Sequence, residues 1–184
     1  MLELNFEPFP VLKTERLVLR RMVLEDLDAY FAMRSDVNAM KHICQKIPTR
    51  DETKTKILRI NEMINMNEGM AWAICLKTDN LMIGTASFHK VIKEHHRAEV
   101  GYMVHPDFWQ QGIISEALES VIHYGFHTMN LHSIEAQIDP ANLASEKVLQ
   151  KFKFVKEAYY KENYFFEGKF LDTAVFSLIR PVNK

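Results

Sequence analysis

The sequence predicts an α+β domain: a mixed, mostly antiparallel central sheet with helices on both faces. Three observations carry this reading. Two pairs of strand-like segments are joined by tight turns, and hairpins make antiparallel neighbours: Met70–Lys77 meets Leu81–Val91 through Thr78-Asp79-Asn80, and Val155–Phe166 meets Lys169–Ile179 through Glu167-Gly168. Segments of helical period lie between strands, so the sheet has cover. One strand, from Glu99, runs through a Gly-containing loop into a long helix and on to a strand at Ser133–Ile138. That crossover places one parallel strand pair in the sheet, flanking the Gly112 helix.

In chain order, Arg16–Met22 is the first strand, with Leu17 and Leu19 alternating against Val18 and Arg20. Leu24, Leu27, Tyr30, Phe31 and Arg34 follow at helical spacing, with Glu25 and Asp26 in the first turn, where the dipole favours acids. Ser35 to Arg50 has no clear period, contains Pro48, and reads as a loop or short irregular helix. Thr49–Asn67 is a polar helix with Ile57, Ile60, Met63 and Ile64 on its apolar side, and Gly69 breaks it. After the first hairpin, Val100, Tyr102 and Val104 alternate with Gly101 and Met103 until Pro106 and Asp107 end the strand. A helix opens at Gly112 and runs to about Met129-Asn130, with Ile114, Ala117, Leu118, Val121, Ile122 and Gly125 on one face. Asp139-Pro140-Ala141-Asn142 is a turn feeding the helix Leu143 to Phe152. No repeat, linker or low-complexity segment interrupts this order, so residues 1–184 read as a single domain.

The chain's 184 residues are enough for a full core without staples, and 47% apolar with 26% charged residues suits a soluble globular protein. A formal net charge of −1 argues against direct nucleic-acid binding, which needs a clustered basic face. Cys44 and Cys75, the two cysteines, lie in unrelated segments. That excludes a disulfide framework or a four-cysteine zinc site and suits a reducing cytoplasm. The N-terminus, M-L-E-L-N-F-E-P-F-P, has neither a basic n-region nor a sustained apolar run, so no signal peptide is expected. Met70 to Leu76, the longest clean apolar run, is far short of the roughly 20 residues a membrane helix needs.

The chain is organised around Glu99 to Ala117, E-V-G-Y-M-V-H-P-D-F-W-Q-Q-G-I-I-S-E-A. A helix that starts behind such a loop aims several backbone N–H groups at one spot. Its dipole adds roughly half a positive charge there, which suits a phosphate. One glycine is not a phosphate loop, and an ordinary strand-to-helix turn has the same pattern. His123 and His127 share a helix face, but Tyr124-Gly125-Phe126 between them lacks the glutamate of a zinc-protease motif and no third ligand is evident. No metal is expected. His95-His96 reads as a solvated turn. Tyr159, Tyr160, Tyr164, Phe165 and Phe166 cluster in the closing hairpin; about half should be core, and exposed ones are available to line an acceptor pocket with Glu162 and Glu167.

Four blocks then stand out in order: E-R-L-V-L-R, I-G-T-A-S-F, A-E-V-G-Y-M-V-H-P-D-F-W-Q-Q-G, and D-P-A-N-L-A-S-E-K-V-L-Q-K-F-K-F. Together they resemble the GNAT superfamily of N-acetyltransferases, most closely the branch that acetylates ribosomal-protein N-termini. The resemblance implies a GNAT-like acyl-CoA N-acyltransferase fold, acetyl-CoA as co-substrate, and a cytoplasmic enzyme acting as monomer or homodimer. It places the pyrophosphate on backbone amides of Gln110, Gln111, Gly112, Ile113, Ile114 and Ser115. The pantetheine would bond the strand around Tyr102, Met103 and Val104 as an added strand. Asn142 would supply a side-chain contact to the cofactor. The chain departs from the branch's W-G-x-G-x-A pattern, with Gln110 in place of a glycine and Ile114 in place of an alanine. Lys153 stands where a glycine usually ends the following helix, a substitution that costs about 1 kcal/mol if the residue is left-handed.

Acetyl transfer needs a neutral amine, an oxyanion donor and a proton for the leaving thiolate. An α-amine has a pKa near 8 and a lysine near 10.4, so a base is required at neutral pH. The resemblance makes Glu99 that base, acting through water; its bland alternative is a surface carboxylate on a strand end. The N–H of Met103 or Val104 is the candidate oxyanion donor. The tyrosine acid of many GNAT enzymes falls at Leu149 here and is absent. Ser145, one turn earlier, is the branch's substitute, or else a first-turn serine bonding backbone. The expected activity is transfer of acetyl to a primary amine, foremost a protein N-terminal α-amine. An aminoglycoside-like or polyamine acceptor, or a silent CoA-binding module, are the alternatives.

Overall fold

Eight strands form one sheet in the computed structural model, which describes residues 1–43 and 45–181. Cys44 lies outside the described residues. In spatial order the strands are β1 (Leu12–Lys13), β2 (Leu17–Arg21), β3 (Met70–Leu76), β4 (Met82–Ile92), β5 (Arg97–Val104), β6 (Ser133–Ile138), β8 (Lys169–Ile179) and β7 (Val155–Phe166). All neighbours are antiparallel except β5 and β6, the pair joined by the crossover. The helices are α1 (Leu27–Ser35), α2 (Val37–Met40), α3 (Arg50–Asn65), α4 (Ile113–His127) and α5 (Leu143–Lys151). The mixed, mostly antiparallel α+β architecture is the one the sequence predicts. Two short elements, β1 and α2, have too few residues to show a period.

Local chemistry explains the boundaries. Thr49 and Glu52 cap α3 reciprocally: the Thr49 hydroxyl accepts from Glu52 N–H at 3.2 Å, and the Glu52 carboxylate accepts from Thr49 N–H at 2.7 Å. β3 is buried on both faces, and Trp72 at its centre meets the edges of Phe9, Phe88 and Tyr124 while its indole N–H donates to Pro10 O. Gly125 lets α4 lie close on the sheet, since a Cβ there would stand 2.7 Å from the Phe88 ring.

The register then sorts β5 by face. Phe88 pairs with Val100 and Ala86 with Tyr102, so Val100 and Tyr102 share the face that α4 covers. Glu99, Gly101 and Met103 point to the opposite face. There a polar row crosses four strands in register: His89, Glu99, Glu135 and Ser177.

The closing hairpin differs from expectation. Tyr159, Tyr160, Tyr164 and Phe165 are exposed and Phe166 is half-buried, so none of the five joins the core. The reason is position: β7 is the outer edge of the sheet, with β8 as its neighbour on one side. The Tyr159 hydroxyl bonds Asp172, which also accepts from Glu162 N–H at 2.7 Å in a bulge where Glu162 has φ +52°.

Candidate active site

The site is a gap in the sheet. β5 and β6 pair from Arg97↔Ser133 only as far as Glu99↔Glu135, yet β5 continues to Val104 and β6 to Ile138. Ladder phase decides which backbone groups face the gap. His105 N–H donates to Ile83 O at 2.8 Å, so by alternation Met103 and Gly101 also turn their backbone groups toward β4. The N–H and C=O of Tyr102 and Val104 turn the other way, beyond the end of β5–β6 pairing. Trp109 Nε1–H donates to Val104 O at 3.0 Å, tying the loop after β5 back to its last residue. Of the three residues expected to meet a pantetheine, Tyr102 and Val104 therefore present backbone to the gap. The Met103 backbone is spent on β4, which leaves Val104 N–H as the candidate oxyanion donor.

The loop beyond Trp109 leads into α4. Gln110 takes φ +59° and Gly112 φ +75°, both left-handed. Gln110 thus adopts the turn a glycine would favour, at a cost of about 1 kcal/mol. The N–H groups of Ile113, Ile114 and Ser115 precede the first intrahelical bond, Glu116 N–H to Gly112 O at 3.0 Å, and so lack helical acceptors. Gln111 stands just before them and is tethered by Arg16, whose Nη1 donates to Gln111 O at 3.0 Å. Arg16 also meets the Glu116 carboxylate at 2.7 Å, and Glu116 accepts from Thr14 Oγ1 at 2.5 Å and Arg16 N–H at 2.7 Å. Burial pushes the Glu116 pKa up, but the Thr14 and Arg16 bonds outweigh it and hold the group below the usual range. Sequence reasoning missed this clamp. Arg16 was legible only as part of a strand, and no spacing rule connects residues 100 positions apart.

Across the gap, Asn142 caps α5 by accepting from Ser145 N–H at 3.0 Å through Oδ1, which leaves its Nδ2 for another partner. Ser145 is buried, and its Oγ lies 2.7 Å from the Tyr102 phenol oxygen. Leu149, where the tyrosine acid is missing, is fully buried. A phenol nonetheless reaches the serine, delivered from β5 instead of α5. Burial pushes the Tyr102 pKa up to about 12, and its bond to Ser145 pulls only partly the other way.

On the opposite face, Glu99 meets His89 Nε2 at 3.1 Å through Oε1 and Lys90 Nζ at 2.6 Å through Oε2. Burial favours the neutral acid, but His89 and Lys90 together hold its pKa below the usual range. Glu135, next in the row, is tied to Arg97 and Gln137. His42 Nδ1 lies 2.7 Å from Asp139 Oδ2, which anchors the aperiodic 35–50 segment to the far end of β6. That segment lines a cavity of about 320 Å³ with Tyr30, Arg34 and Lys56. A second cavity, about 590 Å³, lies between β1 and α4 beside Glu116 and His123. His123 and His127 stack at 4.1 Å, and no group of three metal-ligating side chains occurs among the described residues. No helix among those residues is long and apolar enough to cross a membrane.

Comparison with known proteins fits this geometry. The family model "Acetyltransferase (GNAT) domain" matches residues 16–155. The uncharacterized N-acetyltransferase YoaA of Bacillus subtilis is 31% identical over 174 residues, covering 94% of this chain and 98% of the relative. The [ribosomal protein uS5]-alanine N-acetyltransferase of Escherichia coli is 26% identical, covering 92% and 91%. A GNAT-family acetyltransferase from Bacillus anthracis superposes with a TM-score of 0.82 at 28% identity, covering 92% and 98%. A strand gap opening beside an uncapped helix N-terminus, carried by a sequence that matches throughout this span, shows that the chain belongs to the GNAT family of acetyltransferases.

Proposed function

We propose that this chain transfers the acetyl group of acetyl-CoA to a primary amine, foremost the N-terminal α-amine of a protein or peptide. The observation that carries the reading is the gap itself: β5 backbone left unpaired on its β6 side past Glu99, leading toward the amides of Ile113, Ile114 and Ser115, which lack helical acceptors. An extended pantetheine would bond Tyr102 and Val104 in the manner of an added strand. Its pyrophosphate would sit on the Gln110–Ser115 amides, with Asn142 Nδ2 as a side-chain contact. Val104 N–H would polarise the thioester carbonyl. Ser145, backed by Tyr102, would hand a proton to the leaving sulfur. Glu99 would anchor the basic end of the site, where the amine is deprotonated. Holding both reactants in the gap would itself supply much of the rate. The preference for a peptide α-amine draws on the ribosomal-protein relative and on the lower pKa of that amine, which asks less of the base.

The test is CoA thiol release from acetyl-CoA with a panel of amines: peptides with free and blocked N-termini, a polyamine and an aminoglycoside. Thiol release and a mass gain on the free-N-terminus peptides are expected. Equal labelling of blocked, lysine-bearing peptides would sink the acceptor assignment, and thiol release with none of the panel would sink the transfer reading.

A further inference from the structure

We propose that the first group to take the amine's proton is His89, and that Glu99 works through it as a positioning residue. The inference rests on the acetyl-transfer reading and identifies a residue for that reaction that the sequence did not single out. Its starting point is the register. His89 and Glu99 stand directly opposite each other on β4 and β5, and the carboxylate holds Nε2 at 3.1 Å. The other ring nitrogen, Nδ1, has only a long contact to Ser87 Oγ at 3.5 Å.

Two backbone features place the ring there. A Cβ on residue 101 would lie 2.9 Å from His89 Cε1, so Gly101 is what lets the imidazole lie over β5, on the side of the strand that leads to the gap. The ladder also breaks just after His89. Lys90 takes φ +47° in a bulge between His89 and Ile92. Consecutive strand residues normally face opposite ways, yet the bulge brings both His89 and Lys90 onto the same carboxylate. Left-handed backbone at a lysine is costly, and such strain concentrates at functional sites.

The consequence for chemistry is direct. Both Glu99 oxygens are engaged, and its side chain is only 11% exposed against 37% for His89. Of these two groups the imidazole is the more accessible to an incoming ammonium. With Nε2–H donated to Glu99, Nδ1 keeps its lone pair, with only the long Ser87 contact beside it, and is the base; a carboxylate on Nε2 sets that tautomer. The charged groups around the ring are Glu99 and Lys90, with the Arg97–Glu135 pair one row beyond. In the reaction, the ammonium gives one proton to Nδ1 and becomes a neutral amine. Its nitrogen bonds the thioester carbonyl carbon, the C–S bond breaks, and the sulfur takes a proton through Ser145. The nitrogen sheds its second proton as the amide forms. Ammonium and thioester thus become amide, thiol and one proton released to solvent.

The test is the pH profile of turnover with a free-N-terminus peptide, for wild type, His89→Gln, Glu99→Gln and the double variant. His89→Gln should lower turnover by roughly 10²–10⁴ at neutral pH, and the loss should shrink as pH rises past the amine's own pKa near 8, where no base is needed. Glu99→Gln should cost less, and the double variant should be no worse than His89→Gln alone, because the carboxylate acts through the ring. Both variants should keep the melting shift that wild type shows with acetyl-CoA. Wild-type turnover at neutral pH in His89→Gln would overturn the proposal, as would multiplicative losses in the double variant. Absence of any melting shift in wild type would instead strike the acetyl-CoA reading.

Discussion

The phenol oxygen of Tyr102 lies 2.7 Å from the hydroxyl of Ser145, joining β5 to the first turn of α5 across the open end of the sheet. With Ser145 as the proposed acid, this contact would make a two-member proton path, in which the tyrosine would supply or fix the serine's hydroxyl proton. Ser145→Ala should lower turnover at least tenfold, and the loss should persist at high pH, because it falls on the leaving group and not on the amine. An acyl donor with a more acidic thiol should reduce it. Tyr102→Phe should cost less, and the double variant should be no worse than Ser145→Ala alone, since groups acting as a unit are not additive. Steady-state kinetics of the three variants decide this. Multiplicative losses would mean that the two hydroxyls act separately.

The same phenol sets an alkaline limit on stability. Its folded pKa is pushed up to about 12 by burial, above the ordinary value of about 10. Between those values the folded protein keeps a proton that the unfolded chain has lost, so stability falls as pH rises through this window. Chemical denaturation at pH 9, 10 and 11 should show that fall in wild type and a smaller one in Tyr102→Phe.

Glu116 makes the opposite contribution. Its pKa is held below the usual range by Thr14 and Arg16, so its stabilisation is present above the unfolded value and is lost as pH drops through the acid range. Glu116→Gln weakens the bonds to Thr14 and Arg16 and should cost about 1–2 kcal/mol at neutral pH. It should also flatten the acid limb of stability and weaken acetyl-CoA binding by loosening the loop at Gln111. Melting curves from pH 3 to 7, with and without acetyl-CoA, would show whether the clamp holds the loop.

Lys153 ends α5 at φ +65°, in a turn where Lys153 N–H reaches Gln150 O at 2.9 Å and Phe154 N–H reaches Leu149 O at 3.0 Å. That double bond pattern favours glycine. Lys153→Gly should add about 1 kcal/mol, a rise of a few degrees in Tm for a chain this size. No change in Tm would mean that the lysine side chain supplies a compensating contact.

Gly112, at φ +75°, caps α4 in a conformation proline cannot take. Gly112→Pro should abolish the acetyl-CoA melting shift. In wild type, ligand at about 100 times its Kd should stabilise by about 2.7 kcal/mol. A retained shift in Gly112→Pro would remove the loop from the phosphate site.

The sequence by itself determined the sheet's composition, its hairpins, its crossover and the strand–loop–helix at Glu99 to Ala117. Those depend on local period, turn residues and caps, which are written in neighbouring positions: the Thr49–Glu52 box opening α3 is one case and Asp139–Asn142 before α5 another. It also named Glu99, Ser145 and Asn142, and flagged Gln110 and Lys153 as places where a left-handed turn lacked its glycine; both residues do take positive φ. Only the tertiary structure decided what those residues touch. The pairing that stops at Glu99–Glu135, the ladder phase that gives Met103 to β4, and the meeting of Tyr102 with Ser145 all depend on register between strands and on contacts between distant segments. So do the Arg16–Glu116 clamp and the bulge that turns Lys90 beside His89. The edge position of β7 likewise left exposed the aromatics that composition alone assigned in part to the core. Period tells a strand which face is apolar; only the fold tells it which neighbour lies on each side, and past Glu99 it leaves β5 with one neighbour missing.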